Sequence, residues 1–191
     1  PVTIRTRRGE HTVSVDEQPH KANLEKIPQL RPAFAENGTI TPANSSSISD
    51  GASALLLASE AAVEAHGLTA RARIVAHSRN SLAPEAFTLA PIGAAEDVLA
   101  KAGWTVADVD LWEINEAFAM VTMLTMDALK LDPACVNVHG GACAQGHPIG
   151  STGSRIIVTL MHALEHYGKK RGVAALCIGG GEATAVAIEL V

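Results

Sequence analysis

Short apolar runs alternate with helical stripes along most of this chain, and a glycine follows many of these segments. The run "LWEI" leads into one helical segment, and "GVAALCIGGG" follows another, whose apolar stripe includes Ile156, Leu160 and Leu164. Strands that alternate with helices in this way predict a layered α/β unit with a largely buried sheet. A glycine turn joins "GVAALCIGGG" to "TAVAIELV", so we expect the last two strands to be antiparallel and the sheet to be mixed.

The remaining segments follow the same two patterns. Strands are predicted for three further apolar runs, "ASALLLAS" (52–59), "ARIVAHS" and "CVNVHGG". Helices are predicted for "EAAVEAHG", "PIGAAEDVLAKAG", "NEAFAMVTMLTMDALK" and "STGSRIIVTLMHALEHYG". Gly67, Gly103 and Gly168 stand where three of these helices are expected to end.

The first 38 residues differ in character from the rest of the chain. "VTIR" and "HTVSV" alternate around "TRRGE", which predicts a hairpin, and prolines interrupt the segment that follows. A loop of small polar residues, "GTITPANSSSISDG", then precedes the first long apolar run. We therefore expect residues 1–38 to be the end of a small, more polar module and residues 39–191 to form the main domain.

Charge and composition disfavour several classes of protein. The chain of 191 residues has a net charge of −5, whereas a nucleic-acid partner usually requires a basic surface. No apolar run approaches the roughly 18 residues that indicate a membrane span, and the first residues, "PVTIRTRRGE", do not resemble a signal peptide. The three cysteines are irregularly spaced and suggest no disulfide framework, so we expect a reducing compartment and a cytoplasmic location.

Three polar motifs fall where predicted strands end, the position at which α/β sheets collect functional groups. They are "NEAF" (115–118), "GHP" (146–148) and "CIGGG" (177–181). Gly146 and Pro148 bracket His147, so no regular helix or central strand explains this histidine.

Each of the other two motifs also has a purely structural interpretation. Asn115 is a favourable residue for a helix N-cap. Cys177 follows "VAAL" and fits a buried strand position as a small hydrophobic residue. The three glycines after Cys177 favour a site, because they admit a substrate close to the backbone and leave N–H groups free to donate.

Two other kinds of site fit the region around His147 less well. His139, Cys143 and His147 have the i, i+4, i+8 spacing of zinc ligands on a helix, but Gly140 and Gly141 make a continuous helix improbable. We therefore expect no metal. The stretch "GGACAQGHPIGSTG" lacks the Gly-Lys-Ser/Thr ending of a phosphate-binding loop, so a nucleotide site is also disfavoured.

Taken together, the motifs resemble the C-terminal half of the thiolase family, particularly its biosynthetic acetyl-CoA acetyltransferase type. The likeness rests on "GTITPANSSSISDGASALLL", "DLWEINEAFA", "VNVHGGACAQGHPIGSTGSRI" and "LCIGGG", in the family's order and approximate spacing. The resemblance covers nearly the whole chain. It implies a βαβαβαββ unit with a mixed five-stranded sheet in residues 39–191, and the end of a CoA-binding loop domain in residues 1–38.

The resemblance also implies catalytic roles. His147 would donate a hydrogen bond to a thioester oxygen, and Asn115 would hold a water that donates a second one, which together stabilise an enolate. Cys177 would be the acid/base that removes the α-proton, and the N–H of Gly179 would serve a second oxyanion hole. We expect the strand end near glycine N–H groups to favour the thiolate of Cys177.

Four further residues match substrate positions of the family. Phe34 and Ser46 match positions along CoA, and Phe118 matches the "NEAF" phenylalanine beside the acyl pocket. Phe87 stands where the family often has methionine, next to "TLAP" in place of a glycine-rich stretch. These departures, together with Gln145 and Glu182, leave the acyl chain length open.

The implied reaction is the condensation of two acetyl-CoA into acetoacetyl-CoA and CoA, or the reverse, without any cofactor beyond the CoA thioesters. The family's nucleophilic cysteine belongs to its N-terminal half, and Cys135 and Cys143 stand in other contexts. The chain begins at Pro1 rather than Met, so we expect the N-terminal thiolase half as a partner, and a dimer or tetramer. Two alternatives remain: a thiolase for other chain lengths, and a non-catalytic CoA-binding or scaffolding module.

Overall fold

A two-stranded hairpin opens the chain, and a four-stranded sheet forms the centre of the rest. The structure is a computed structural model that describes residues 1–17, 20 and 22–191. Strand β1 (Val2–Thr6) pairs with β2 (Gly9–Val13) in antiparallel register, which confirms the predicted hairpin. Nearly all of its side chains are exposed.

The central sheet contains both parallel and antiparallel strands. Its strands are β3 (Ala72–Ser81), β4 (Leu111–Ile114), β5 (Arg171–Ile178) and β6 (Glu182–Leu190), in the spatial order β3-β6-β5-β4. Strand β5 runs parallel to β4 and antiparallel to β6, and β6 runs antiparallel to β3. The mixed α/β class predicted from the sequence is confirmed.

The described residues contain five α-helices, of which the second and the fifth along the chain contact this sheet. They are α1 (Glu60–His66), α2 (Ala90–Ala102), α3 (Ala119–Leu129), α4 (Ala142–Gln145) and α5 (Thr152–His166). Helices α1 and α2 end at Gly67 and Gly103, whose left-handed φ angles of 59° and 68° provide the predicted C-caps.

The core has one layer on each face of the sheet. On one face, residues of α2 such as Ala94 and Val98 pack with Val173 and Ala175 of β5. On the other face, the apolar stripe of α5 packs with Leu111 and Ala174. Alternate residues of β5 therefore serve opposite layers, and the short buried strand β4 lies between α5 and the α2 layer.

The run 52–59 is not a strand, although its composition predicted one. Leu56 and Leu57 are 87% and 71% exposed, and no strand is assigned between Gly51 and Ser59. The hydroxyl of Ser53 instead lies 2.8 Å from Oγ of Ser151, in the loop before α5. The central sheet consequently has four strands among the described residues, where five were predicted.

The segment "CVNVHGG" is also not a strand, because the Asn137 side chain makes the hydrogen bonds to β4 that a strand backbone would otherwise make. Val136 makes a single parallel bridge with Trp112. Asn137 then adopts a left-handed φ of 48°. Its side chain accepts a hydrogen bond from Ile114 N at 2.8 Å and donates one to Ile114 O at 2.9 Å, which closes the edge of β4.

The helices are short. The longest helix among the described residues is α5, with 15 residues. No helix in this part of the chain combines the length and the apolar character that crossing a bilayer requires.

Candidate active site

Asn115 lies directly beyond β4 and not at the start of a helix. Its backbone N donates to Ala175 O of β5 at 2.9 Å, so the chain is still in sheet register at this residue. Helix α3 begins at Ala119, with Phe118 in the N-cap position. The interpretation of Asn115 as a helix cap is therefore wrong, and its side chain, only 1% exposed, is buried for another reason.

His147 lies in a loop whose backbone is hydrogen-bonded to the neighbouring segment 47–49. His147 N donates to Ser47 O at 2.8 Å, and Ser49 N donates to His147 O at 3.4 Å. Gly146 adopts a φ of 91°, and a Cβ at this position would approach the Ser49 Cβ to 2.8 Å. Only glycine fits this turn, both because of the backbone conformation and because of the close approach of Ser49.

Thr152, in the first turn of α5, contacts the imidazole of His147. Its Oγ1 lies 2.7 Å from His147 Nδ1 and 3.0 Å from Pro148 O. One hydroxyl hydrogen serves either the carbonyl or the imidazole, not both. If it serves Nδ1, the neutral ring carries its proton on Nε2, which then becomes a donor toward the site.

The His147 ring is disposed to be neutral. Burial is the main cause that lowers the pKa of His147, and the positive charge of Arg155 lowers it further. A neutral imidazole can donate from Nε2 only in the arrangement in which Thr152 donates to Nδ1. Thr152 is itself 1% exposed, so solvent does not compete for this hydroxyl.

A second residue of the α5 first turn reaches Asn115. Arg155 Nη2 donates to Asn115 Oδ1 at 3.5 Å. Asn115 Nδ2 has no hydrogen-bond partner among the described residues. Thr152 and Arg155 lie three positions apart and therefore project from the same side of the helix. One turn of α5 thus connects the "GHP" and "NEAF" motifs.

Glu113 adds a buried carboxyl to this group. It is 2% exposed, in the middle of β4. Burial raises the pKa of Glu113 to about 8, although the positive charge of Arg155 opposes the shift. Burial in turn lowers the pKa of Arg155, against the attraction of Glu113 and Glu116. At neutral pH the carboxyl is therefore largely protonated, while the guanidinium remains charged.

Cys177 lies at the same edge of the sheet, near the end of β5. Ala175, two residues before it, pairs with Ile114, which precedes Asn115. By strand alternation, Cys177 shares the face of Val173 and Ala175, toward α2. Burial raises the pKa of the thiol, and a backbone hydrogen bond only partly opposes this shift. The expectation that the strand end favours a thiolate is therefore wrong for this structure.

The glycines after Cys177 form the turn between β5 and β6. Gly179 is exposed, and nothing lies within 4 Å of where its Cβ would stand. Gly181 has a φ of 94° and accepts a 2.8 Å hydrogen bond at its carbonyl from Leu82 N. The backbone at Gly179 is therefore open to an approaching molecule, while Gly181 anchors the turn.

The three predicted substrate phenylalanines form one aromatic cluster. The rings of Phe34 and Phe118 have centroids 5.8 Å apart, and those of Phe87 and Phe118 are 6.3 Å apart, both edge to face. Phe34 remains 74% exposed. The structure thus brings Phe34, Phe87 and Phe118 together, and their roles toward substrate stay predictions.

Ser46 is engaged with the "NEAF" loop. Its hydroxyl donates to Ala117 O at 3.0 Å, and its backbone N donates to the same carbonyl at 3.1 Å. Ser45 and Phe118 form an isolated antiparallel bridge beside it. The segment 45–49 therefore contacts both the loop that contains His147 and the loop after Asn115. A contact of Ser46 with CoA stays a prediction.

The carboxylate of Glu116 accepts hydrogen bonds from two residues in the segment before His147. Its Oε2 accepts a hydrogen bond from Cys143 N at 3.0 Å, and its Oε1 accepts one from Asn137 Nδ2 at 3.4 Å. A Cβ on Gly141 would clash with this carboxylate, which explains the second glycine of the motif. Burial and the charge of Glu116 raise the pKa of Cys143 to about 12.

Gln145, an unusual residue before "GHP", has a structural contact. Its Nε2 donates to His139 O at 2.7 Å and ties the end of the four-residue helix α4 to the loop before it. The stretch from His139 to His147 is thus not a continuous helix. No group of three or more His, Cys, Asp or Glu among the described residues is placed to hold a metal ion.

Sequence reasoning missed three members of this group: Thr152, Arg155 and Glu113. Glu113 left a signal, since a carboxyl stands within "LWEI", where every other residue is apolar. Arg155 stands beside the stripe of α5, where a long cation usually reaches solvent. Thr152 left no signal, because its role depends on where the turn before α5 places His147.

Comparison with known proteins agrees with this fold and arrangement. Residues 68–190 match the family model described as the thiolase C-terminal domain, and residues 1–61 match that of the thiolase N-terminal domain. The chain therefore belongs to the thiolase family, and it contains residues that match both domain models.

Individual thiolases match over almost all of this chain. Cytosolic acetyl-CoA acetyltransferase from Mus musculus is 47% identical over 192 residues, which are 99% of this chain and 48% of that protein. The crystal structure of the Bacillus anthracis acetyl-CoA acetyltransferase superposes with a TM-score of 0.92 at 42% identity, over 100% of this chain and 49% of that one.

Human mitochondrial 3-ketoacyl-CoA thiolase, in a crystal structure in complex with CoA, is also similar. It superposes with a TM-score of 0.84 at 38% identity, over 99% of this chain and 48% of that one. The chain thus spans about half the length of the relatives it matches.

Proposed function

We propose that this chain is part of an acetyl-CoA acetyltransferase that condenses two acetyl-CoA into acetoacetyl-CoA and CoA, or catalyses the reverse thiolysis. The observation that carries the proposal is the single turn of α5 that contacts His147 through Thr152 and Asn115 through Arg155. The identity to named acetyl-CoA acetyltransferases supports the same reaction. In this proposal, residues 1–38 end the loop domain and residues 39–191 form the C-terminal domain.

The proposed step begins with removal of a proton from the methyl group of acetyl-CoA. Cys177, as a thiolate, takes the α-proton, and the C–H electron pair forms an enolate. The enolate oxygen accepts a hydrogen bond from His147 Nε2 and one from a water held by Asn115 Nδ2. Both donors are neutral, so they stabilise the negative charge without neutralising the base.

Carbon–carbon bond formation follows. The enolate carbon attacks an acetyl group carried as a thioester on a nucleophilic cysteine, and the N–H of Gly179 donates to the oxygen that becomes negative. The intermediate then expels the cysteine thiolate, which leaves acetoacetyl-CoA. Cys135 and Cys143 are not proposed as this nucleophile, because neither stands in the sequence context of the family's nucleophilic cysteine.

The raised pKa of Cys177 requires help when the base forms. In the proposed cycle, the CoA thiolate that leaves when the nucleophilic cysteine is acylated takes the proton of Cys177, and the N–H groups after Cys177 stabilise the remaining thiolate as the second acetyl-CoA approaches. The open backbone at Gly179 is consistent with such an approach. We propose no cofactor and no metal beyond the CoA thioesters.

The test of the proposal is an activity assay on a reconstituted enzyme, meaning this chain together with a thiolase segment that supplies the other half of the relatives' length. Acetoacetyl-CoA thiolysis is measured for the unsubstituted enzyme and for His147→Ala. Loss of one oxyanion donor costs roughly 100- to 1,000-fold in kcat. A His147→Ala rate within a few-fold of the unsubstituted rate would contradict the role of His147.

A second candidate is a thiolase with a longer 3-ketoacyl-CoA substrate. Phe87 favours a longer substrate, because it stands where the family often has methionine. Its ring centroid lies 6.3 Å from that of Phe118, so the difference alters one side of the aromatic cluster. The similarity to a 3-ketoacyl-CoA thiolase points the same way. A series of 3-ketoacyl-CoA substrates separates the two candidates, since the acetyl assignment requires a preference for the shortest member. CoA binding without turnover of any member would instead indicate a non-catalytic module.

We also propose that the complementary thiolase half covers the exposed apolar run of this chain. Leu56 and Leu57 are highly exposed, and so is Ile48, which forms an isolated parallel bridge with His147. Exposed apolar side chains grouped in this way indicate a contact surface. The assembled enzyme is proposed to be a dimer or tetramer, as the sequence resemblance implies. A cytoplasmic location is supported by the cytosolic mouse relative, although the human relative is mitochondrial.

A further inference from the structure

The half-buried side chain of Arg155 has no part in the reaction steps above, yet its guanidinium contacts one of the proposed donors. Its Nη2 lies 3.5 Å from Asn115 Oδ1, at the long end of the hydrogen-bond range. Its Nε and Nη1 atoms are buried and have no hydrogen-bond partner among the described residues. Buried cations are normally paired, so this arrangement calls for a reason other than stability.

A guanidinium decides the orientation of a neighbouring amide. It carries only donors, so the amide oxygen of Asn115 must face it. The reversed amide would set the Nδ2 hydrogens against the guanidinium hydrogens. Asn115 is 1% exposed, and solvent offers its oxygen no other donor. Nδ2 consequently points away from Arg155, as a buried donor without a protein partner among the described residues.

Neighbouring groups do not provide an alternative anchor for the amide. Glu113 stands two residues before Asn115, but Asn115 Nδ2 donates to neither oxygen of its carboxyl. Its Oε1 is likewise buried without a hydrogen-bond partner among the described residues. Arg155 is therefore the one group within hydrogen-bond distance of the Asn115 side chain in the described part of the chain.

We propose that Arg155 is a positioning residue for the acyltransfer reaction. It holds the Asn115 amide so that Nδ2 is presented to the enolate oxygen, directly or through a water. The inference rests on the proposed function, since it assigns the means by which one of the two oxyanion donors is oriented. Arg155 itself touches no reacting atom in this scheme.

The first test compares substitutions of two arginines in the reconstituted enzyme, one in the first turn of α5 and one that contacts its last turn. Arg155→Lys retains the charge and removes the planar fork. Arg71→Lys is the matched control, because Arg71 pairs with Glu165 in the last turn of α5 at 2.7 Å. We expect kcat to fall roughly 10- to 100-fold for Arg155→Lys, with KM little changed. Arg71→Lys should retain the unsubstituted kcat.

A double substitution distinguishes positioning from a general structural role. If Arg155 acts through Asn115, then Arg155→Lys should cause no further loss of kcat in an Asn115→Ala background. Losses that multiply would overturn the proposal. Circular dichroism and thermal melting establish that each variant folds. If Arg155→Lys does not fold, the same cycle is run with Arg155→Gln, which keeps an amide donor.

A measurement without turnover separates this inference from the proposed function. The side-chain amide signals of Asn115 are assigned in a ¹⁵N NMR spectrum from their loss in Asn115→Ala. Arg155→Lys should lower the order parameter of this NH₂ group, while Arg71→Lys should not. An unchanged order parameter would overturn the positioning role even in an active enzyme. Absence of turnover in the unsubstituted enzyme would instead overturn the proposed function and leave the NMR result to decide the role of Arg155.

Discussion

The hydroxyl of Thr152 lies where it can determine which nitrogen of His147 carries a proton. Two acceptors lie within its reach, the imidazole Nδ1 at 2.7 Å and Pro148 O at 3.0 Å. Pro148 O also accepts from Thr152 N at 2.8 Å, so it does not depend on the hydroxyl. The hydroxyl is therefore free to donate to Nδ1, which leaves Nε2 protonated in the neutral ring.

Thr152→Val should remove this control with little change in volume. We expect kcat to fall roughly 10- to 100-fold in the reconstituted enzyme, because the imidazole loses both its tautomer and its orientation. Thr125→Val is the matched control, since Thr125 is equally buried and its hydroxyl donates to Val121 O, four residues back in α3. Similar kcat losses for both variants would show that loss of a buried hydroxyl, not control of His147, is responsible.

Glu113 should make the stability of the protein depend on pH. Its pKa is raised from 4.5 to about 8, mainly by burial. Below the unfolded value both states are protonated, and as pH rises toward the folded value the unfolded state alone loses its proton. The free energy of unfolding therefore decreases between these two pH values. Glu113→Gln should remove roughly 2–4 kcal/mol of the difference between pH 5 and pH 8, measured by urea unfolding.

The control for Glu113 is a carboxyl with the opposite shift. A hydrogen bond from Arg71 lowers the pKa of Glu165. Its contribution to stability is present above the unfolded pKa and is lost as the pH falls through the lower folded value. Glu165→Gln should therefore leave the difference between pH 5 and pH 8 unchanged. If it alters that difference as much as Glu113→Gln does, the pH dependence does not arise from the buried carboxyl.

At the scale of elements, the turn before α5 is set by one glycine. Gly146→Ala forces an unfavourable φ of 91° and a clash with Ser49. We expect the "GHP" backbone to shift, with loss of most thiolysis activity in the reconstituted enzyme and destabilisation of at least about 1 kcal/mol. Gly67→Ala is the control, since Gly67 also has a positive φ but nothing within 4 Å. It should lower stability and leave kcat unchanged, as measured by melting and by the activity assay.

The elements that the sequence predicted correctly are those that local signals determine. Helices α1 and α2 end at Gly67 and Gly103, where the glycine itself marks the boundary. The run 52–59 has the composition of a strand, but a strand requires a hydrogen-bonded neighbour that composition does not reveal. Near Val136, the side chain of Asn137 replaces the backbone partner, which no hydrophobic pattern indicates.

The same distinction holds for the candidate site: residues in local motifs could be predicted, and properties that depend on packing could not. Asn115, His147 and Cys177 stand in recognisable motifs, and the positions of Asn115 and Cys177 near the ends of two paired strands could be predicted. The ionisation of Cys177 could not, because burial depends on the packing of β5 against the α2 layer. The contacts of Thr152 with His147 and of Arg155 with Asn115 likewise depend on the conformation of residues 146–151, which precede α5.

At the scale of the whole molecule, the run 52–59 carries two highly exposed leucine side chains. Leu56→Lys should weaken assembly with the complementary thiolase half, because a charged side chain would be buried at the proposed contact. Val191→Lys is the control, with a similarly exposed side chain at the other end of the chain. Co-purification and analytical ultracentrifugation measure the effect. Equal assembly of the Leu56→Lys variant and the unsubstituted chain would show that the complement binds elsewhere.

Helix α5 carries the side chains that contact both proposed donors, whereas the donors themselves belong to other elements. His147 lies in the loop before α5, and Asn115 directly follows β4, where its backbone N donates to Ala175 O of β5. Asn115 is therefore fixed to the same sheet as Cys177. Small displacements of α5, caused by repacking around Leu160 or Leu164, would move Thr152 and Arg155 relative to this sheet and would shift His147 more than Asn115. Variation along the buried side of this helix is thus a route by which the position of His147 can change while Asn115 and Cys177 stay in place.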